Sequence, residues 1–404
     1  MFYLGIDIGK NTHVASLIDS KKKVLFKAFS FSNSIDGAEN LICKLEPFKN
    51  QLEIGMEATG HYWLSLYSYL SEKNFTVRVI NPIQTDGWRQ GIEIRKRKTD
   101  IIDSLLIADL LRYGDFVETS LSNEDYLSLR NLSRFRSYLV SSIGDLKRKT
   151  IALLDQVFPE YASSFSNIFA KTSKEILANF SSPSDFEDIN SEDLQSFLDN
   201  VTMKKFAARK LEELSKKASK SFGVNFCMDS FGLQIKMLIG QISFIQNQVL
   251  DVEKEIKSLL EKLNSPITTI PGIGAVNAAT ILGEIGDIKR FSNPSKLVAY
   301  AGLDSTVSQS GNFESTSNHM TKRGSPYLRR ALFQSALRAE FCDPVFSDYY
   351  QKKITEGKHH LVATNAVARK LVHTIFAVLT KNEPYQVQSL SLIHISEPTR
   401  QAEI

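Results

Sequence analysis

The sequence predicts an α/β N-terminal region followed by a long, mainly helical remainder. Two observations carry this. Residues 3–9, 13–19 and 24–31 are short, strand-like apolar runs, punctuated by turn signals at Gly9-Lys10-Asn11 and Asp19-Ser20-Lys21. Beyond residue 120, apolar side chains recur at helical spacing over two long stretches.

Taken in order, a helix from about Ile35 to Leu45 follows the three strands, then a strand running from Leu52 to Glu57. A helix starts after Thr59-Gly60. Phe75 to Ile80 is a further strand, stopped by Asn81-Pro82. The last N-terminal element is a helix from Thr99 to Tyr113, with the Thr99 hydroxyl placed to accept from an early helical N–H. Three strands, helix, strand, helix, strand, helix is the RNase H-like (RuvC-type) order, an antiparallel run continued by parallel strands. In that order the first strand, the fourth strand and the final helix carry the acids.

Residues 119–265 read as a helical, coiled-coil region. Leu127, Leu132, Phe135, Leu139, Ile143, Leu146, Leu153 and Leu154 form one stripe. A near-heptad run from Phe231 to Leu263 forms another, which fits a packed hairpin or a dimer seam equally well. A mainly α C-terminal domain spans 266–387. It opens on Ile270-Pro271-Gly272-Ile273-Gly274, a helix-hairpin-helix signature, and the backbone N–H groups near Gly272 and Gly274 could hold a nucleic-acid phosphate. The N-terminal domain takes 1–118.

The 404 residues suffice for two or three domains, and 42% apolar with 23% charged residues is ordinary globular composition. A net charge of +4 demands no nucleic-acid partner by itself. Its distribution says more, with clusters at Arg95-Lys96-Arg97-Lys98, Lys147-Arg148-Lys149, Lys322-Arg323 and Arg329-Arg330. Cys43, Cys227 and Cys342 fit neither a zinc spacing nor a disulfide framework, so a reducing cytoplasm is expected. No stretch reads as long and apolar enough to span a membrane, and the N-terminus opens directly on a strand rather than a signal peptide. Residues Leu390 to Arg400 resemble a translated sequencing-library adapter, so 388–404 are expected to be foreign to the native chain.

Four acids carry the chemistry. Asp7 lies in Leu4-Gly5-Ile6-Asp7-Ile8-Gly9-Lys10, Glu57 closes its strand, and Asp100 and Asp103 stand three apart at a helix start, on one face. Carboxylates so placed can converge on two divalent cations, the arrangement of phosphodiester chemistry. Arg97 and Lys98 flank them and suit phosphate. His61 is better read as a helix-start residue than as a proton carrier. Singly each acid is weak: a Gly-Ile-Asp-Ile-Gly strand also fits actin-like ATPases and sugar kinases, and Asp100 also suits the helix dipole.

At these residues the chain resembles the bridge-RNA-guided insertion-sequence transposases with a DEDD acid set and a C-terminal serine. The resemblance rests on Gly5 to Lys10, on Met56-Glu57-Ala58-Thr59-Gly60-His61-Tyr62-Trp63, and on Lys98-Thr99-Asp100-Ile101-Ile102-Asp103. In the C-terminal half it rests on the Gly272 loop, Tyr300-Ala301-Gly302-Leu303, Gln309-Ser310-Gly311, Lys322-Arg323-Gly324 and Tyr327-Leu328-Arg329-Arg330. Ser104 replaces a frequent Ala, and Asp304-Ser305 stand where a Pro is common. The resemblance implies a DNA transposase with Ser310 as nucleophile, Ser308 being the runner-up. It implies Mg²⁺, two ions per site, on the four acids, and Lys322, Arg323, Arg329 and Arg330 on phosphates. It also implies donor and target DNA, a structured guide RNA, and a dimer or tetramer.

Three rival readings stay open: a metal-dependent junction nuclease using water, an actin-like ATPase, and a non-enzymatic DNA-binding protein.

Overall fold

The computed structural model describes residues 1–58, 60–92, 99–114, 116, 123–187, 189–305, 309–310, 313–314 and 319–387. Arg97, Lys98, Ser308 and the adapter-like tail lie outside them. The chain divides into two compact units, Met1–Leu121 and Ser122–Ile404.

The first unit contains β1 (Phe2–Asp7), β2 (Thr12–Asp19), β3 (Val24–Ser32), α1 (Ile35–Leu45), β4 (Leu52–Glu57), α2 (Trp63–Glu72), β5 (Thr76–Ile80), α3 (Pro82–Ile92) and α4 (Asp100–Tyr113). The sheet order is β3-β2-β1-β4-β5. β1 pairs antiparallel with β2 and parallel with β4, and β5 extends the parallel side. This mixed five-stranded sheet with helices is consistent with the RNase H-like expectation. The one element absent from the sequence reading is α3. Pro82 does end β5, but a proline is also tolerated in a first helical turn, where its missing N–H costs nothing.

Strand alternation sorts the sheet into two faces. Leu4, Ile6, Ile54 and Met56 point into a core with Leu41 and Leu45 of α1 and Leu66 and Leu70 of α2. Gly5 and Gly55 face the other way, toward α4. A Cβ on Gly5 would lie 2.0 Å from the Ser104 carbonyl oxygen and 2.4 Å from the Ala108 nitrogen. The α4 backbone therefore rides directly on β1, and only glycine permits that approach. Ser104 fits the same contact: its hydroxyl is 2.8 Å from that of Ser16 on β2, with both residues fully buried. Ser104 is thus matched by a serine across the interface.

The second unit begins with α5 (Glu124–Val157), continues through α6 (Lys171–Asn179), α7 (Pro183–Glu187), α8 (Ser191–Asn200) and α9 (Lys204–Ala218), and reaches α10 (Met228–Leu263). α11 (Ala275–Ile285), α12 (Pro294–Ala301), the two-residue strands β6 (Gln309–Ser310) and β7 (Phe313–Glu314), α13 (Pro326–Cys342), α14 (Pro344–Thr355) and α15 (His360–Lys381) follow. α5 packs against α10, and Ile143, Leu153 and Leu154 share a core with Ile235, Leu238, Ile239 and Ile242. The near-heptad stripe is spent on packing within the chain. The hairpin around Gly272 differs from the signature in one respect, since the element before it is a single 3₁₀ turn, Pro266–Thr269.

One expectation is corrected. α15 is long and apolar enough, by length and composition, to cross a membrane. Its Val367, Leu371, Val372 and Ile375 are instead fully buried in the core of the second unit, which explains its hydropathy without a bilayer.

Candidate active site

The C-terminal ends of β1 and β4 place Asp7 and Glu57 on adjacent parallel strands. Their register aligns Gly5 with Gly55 and Ile6 with Met56. Each acid lies two residues past a glycine that faces α4, so both belong to the α4 side of the sheet. α4 starts at that same end. Its N-cap is Thr99, whose hydroxyl accepts from the Ile102 N–H, as the sequence suggested. Asp103 lies beside Ser104, at the β1 crossing, and is only 7% exposed. Asp100, one turn earlier, is exposed.

The unforeseen helix α3 meets two of the acids. The Thr85 hydroxyl donates to Glu57 Oε2 at 2.8 Å, and Arg89 Nη2 donates to Asp103 Oδ1 at 2.9 Å. Thr85 and Arg89 are four apart, so one helical face presents both. Their signal in the sequence was this spacing just after a strand end. His61 sits in the turn before α2, exposed, with its ring against Tyr62, as a helix-start residue does.

The donor set is all carboxylate, the hard-oxygen chemistry that Mg²⁺ takes. Among the described residues, however, no three His, Cys, Asp or Glu side chains are grouped closely enough to hold a metal ion. The cation facing Asp103 is the Arg89 guanidinium. The four acids share one end of one face without closing around a point.

In the second unit, Ser310 lies on β6, paired through its backbone with Phe313 of β7. The base of this arm is well fixed. Ser305 bridges to Met320, and the Thr321 N–H donates to the Asp304 carbonyl at 2.9 Å. A Cβ on Gly324 would lie 1.9 Å from the Tyr300 carbonyl oxygen, and one on Gly302 2.8 Å from the Gly324 nitrogen. The Tyr300-to-Leu303 and Lys322-to-Gly324 motifs are therefore two halves of one clamp. Lys322 and Arg323 are exposed beside it.

The other expected phosphate contacts divide. Gly274 is open, with nothing within 4 Å of a Cβ position, whereas Gly272 has φ +88° and presses against Ser335 and Ala339 of α13. Arg330 is exposed. Arg329 donates to the Ala301 carbonyl at 3.3 Å and so contacts the chain's own clamp.

An RNase H-like sheet with carboxylates at the ends of β1 and β4 and at the start of α4 defines the class of enzymes that carry out phosphoryl transfer on nucleic acids. Two family models match: one described as a transposase with the DEDD acid set over residues 4–159, and one described as "Transposase IS116/IS110/IS902 family" over residues 264–351. The chain belongs to the IS110/IS116 family of transposases, enzymes that catalyse DNA phosphoryl transfer and bind DNA, and its DEDD domain implies use of a divalent metal. The chain is 25% identical to the insertion element IS116 44.8 kDa protein of Streptomyces clavuligerus, over 93% of this chain and 94% of that one. It is 24% identical to the pilin gene-inverting protein of Moraxella bovis, over 95% and 97% respectively. To the insertion element IS110 43.6 kDa protein of Streptomyces coelicolor it is 31% identical, over 38% of each chain.

Proposed function

We propose that this chain is the recombinase of an insertion sequence and that it cuts and rejoins DNA through a covalent phosphoserine intermediate. The observation that carries the reading is the placement of Asp7 and Glu57 on adjacent parallel strand ends, on the face where α4 brings Asp103. The Ser310 oxygen forms a bond to a DNA phosphorus, the bond from that phosphorus to one strand's oxygen breaks, and the departing oxygen takes up a proton. The phosphodiester count is unchanged, so attack by another DNA hydroxyl frees the serine and joins new ends. Asp7, Glu57, Asp100 and Asp103 would hold Mg²⁺, two ions per site. When bound, the metal supplies Lewis-acid stabilisation at the phosphate and the leaving oxygen.

Arg97, Lys98, Lys322, Arg323 and Arg330 contact phosphates, as do the backbone N–H groups of the Gly272–Gly274 loop. Arg329 has the clamp as its contact and acts on DNA through it. A structured guide RNA selects donor and target by base pairing, and the protein holds it by backbone and shape. The working form is a dimer or tetramer, acting in the cytoplasm. Exposed Leu233, Met237 and Phe244 on α10, flanking an open Gly240, supply a seam for it. The pilin gene-inverting relatives support the recombinase reading. Residues 388–404 are foreign to the native chain, and codons that do not spell an adapter would overturn that.

The test is a denaturing gel of the wild-type protein with element-end DNA, guide RNA and Mg²⁺. A protein–DNA adduct that survives denaturation and disappears in Ser310→Ala, but persists in Ser308→Ala, is expected. Strand cleavage that persists in Ser310→Ala without any adduct points to water as the nucleophile.

A further inference from the structure

A cleft of about 440 Å³ opens in the second unit between α5, α11 and α13. Four features converge on it. The first is the N-terminus of α11. Its N-cap is Gly274, no side chain caps it, and the position is open to approach. The unpaired N–H groups of that first turn carry the positive end of an eleven-residue helix. The second is Ser133 of α5, which lines the cleft and is 5% exposed, and whose hydroxyl has no hydrogen-bond partner. A buried hydroxyl without a partner destabilises a free protein, so its presence calls for an acceptor from outside. The third is Arg330, exposed on α13 and, among the described residues, without an ion-pair partner. The fourth is Arg136, fixed at 2.6 Å by Glu253 and presenting a further guanidinium to the same space.

We infer that this cleft seats one phosphate of the DNA backbone, with Ser133 and Arg330 as its side-chain donors and the first turn of α11 as its backbone donor. The assignment rests on the recombinase reading above and deepens it by adding α5 to the DNA interface. DNA is favoured over RNA because α13, which carries Arg330, begins at Pro326, directly after the Lys322-to-Gly324 half of the clamp that anchors the Ser310 arm. A phosphate in the cleft and a phosphate at the arm thus address one rigid body. No base edge is read, so the contact positions DNA without selecting its sequence.

The experiment is fluorescence anisotropy of a short labelled DNA duplex with the full chain over a salt series. It compares Ser133→Ala, Arg330→Gln and, as a surface control outside the cleft, Lys220→Gln. Arg330→Gln is expected to weaken binding about five- to tenfold and to lower the slope of log affinity against log salt by about 0.9. Ser133→Ala is expected to weaken binding about threefold while leaving the melting temperature of the free protein unchanged or raised, because the unpartnered hydroxyl is gone. A merely structural serine would show the reverse, lost stability with unchanged binding, and that result overturns the proposal. Wild-type affinity and slope in both variants also overturn it. Weakened binding of a structured RNA with unchanged DNA binding overturns the choice of DNA. A wild-type chain that binds no DNA at all defeats the recombinase reading itself, which is a distinct outcome.

Discussion

Arg89 donates to Asp103 at 2.9 Å, so this buried acid in the first turn of α4 is neutralised by a cation belonging to the chain itself. Both side chains are largely buried, and removing one member of a buried ion pair destabilises a protein by about 3 kcal/mol. At the proposed metal site, Arg89 and a divalent ion would compete for the Asp103 carboxylate. Arg89→Gln is expected to lower metal-free stability by about that amount and to bind Mg²⁺ or Mn²⁺ more tightly than wild type. Calorimetric metal titration, with thermal melts at each metal concentration, checks both halves. Weaker metal binding in the variant would mean that Arg89 organises the acids instead of masking one.

The Ser16–Ser104 contact makes a second, smaller prediction. Each hydroxyl has another partner: Ser104 donates to the Ile101 carbonyl at 3.0 Å, and Ser16 accepts from the Ala28 N–H at 3.2 Å. Ser104→Ala leaves Ser16 its Ala28 partner, whereas Ser16→Ala also takes the acceptor from the Ala28 N–H. Ser16→Ala and Ser104→Ala are expected to cost about 1 kcal/mol each, with a coupling of similar size in the double-mutant cycle, because one shared bond is lost in both. Urea unfolding of the four proteins measures it. A coupling near zero would show that packing of α4 on Gly5, and not the hydroxyl pair, holds the helix.

These two contacts mark what the sequence discloses and what it hides. The sheet was legible because strand runs and turn residues are local signals, and α1 and the Thr99 cap were legible for the same reason. α3 was not, since Pro82, Gly87 and Gly91 read as breakers and its apolar pattern is thin. With α3 went Thr85 and Arg89, whose meaning depends on acids 28 and 14 residues away. Ser104 looked like a departure from a pattern until Ser16, 88 residues distant, supplied its reason. The clamp was visible only as two separate motifs, because the closeness of Gly302 and Gly324 is a property of the folded backbone.

Inside the second unit, α5 and α11 are joined by an ion pair with unequal ends. Glu284 is 2% exposed and accepts from Arg134 Nε and Nη2 at 2.6 and 3.0 Å, with the Ser325 hydroxyl at 2.8 Å. The Arg134 side chain is 38% exposed and can turn to water. Arg134→Ala removes the two-pronged partner of a buried carboxylate, leaving it Arg130 at 3.8 Å and the Ser325 hydroxyl, and is expected to cost about 2 kcal/mol, whereas Glu284→Gln, which keeps an acceptor and frees an arginine that water can reach, is expected to cost about 1 kcal/mol. Equal losses in chemical denaturation would contradict this asymmetry.

Asp109 on α4 links the helix to the β2–β3 turn and sets a pH dependence. Burial pushes its carboxyl up, but hydrogen bonds from Lys22 and Arg112 outweigh burial and hold it below the usual carboxylate range. A carboxyl whose folded value is depressed binds its proton more readily when unfolded. Its contribution to stability is therefore fully present above the unfolded value of about 3.9 and is lost as pH falls through the folded one. Asp109→Asn removes that contribution at neutral pH and has none left to lose in acid. Melting temperatures of wild type and variant should thus differ at pH 7 and converge as pH falls below about 4. Parallel curves across the whole range would show that Lys22 and Arg112 hold α4 by packing and not by charge.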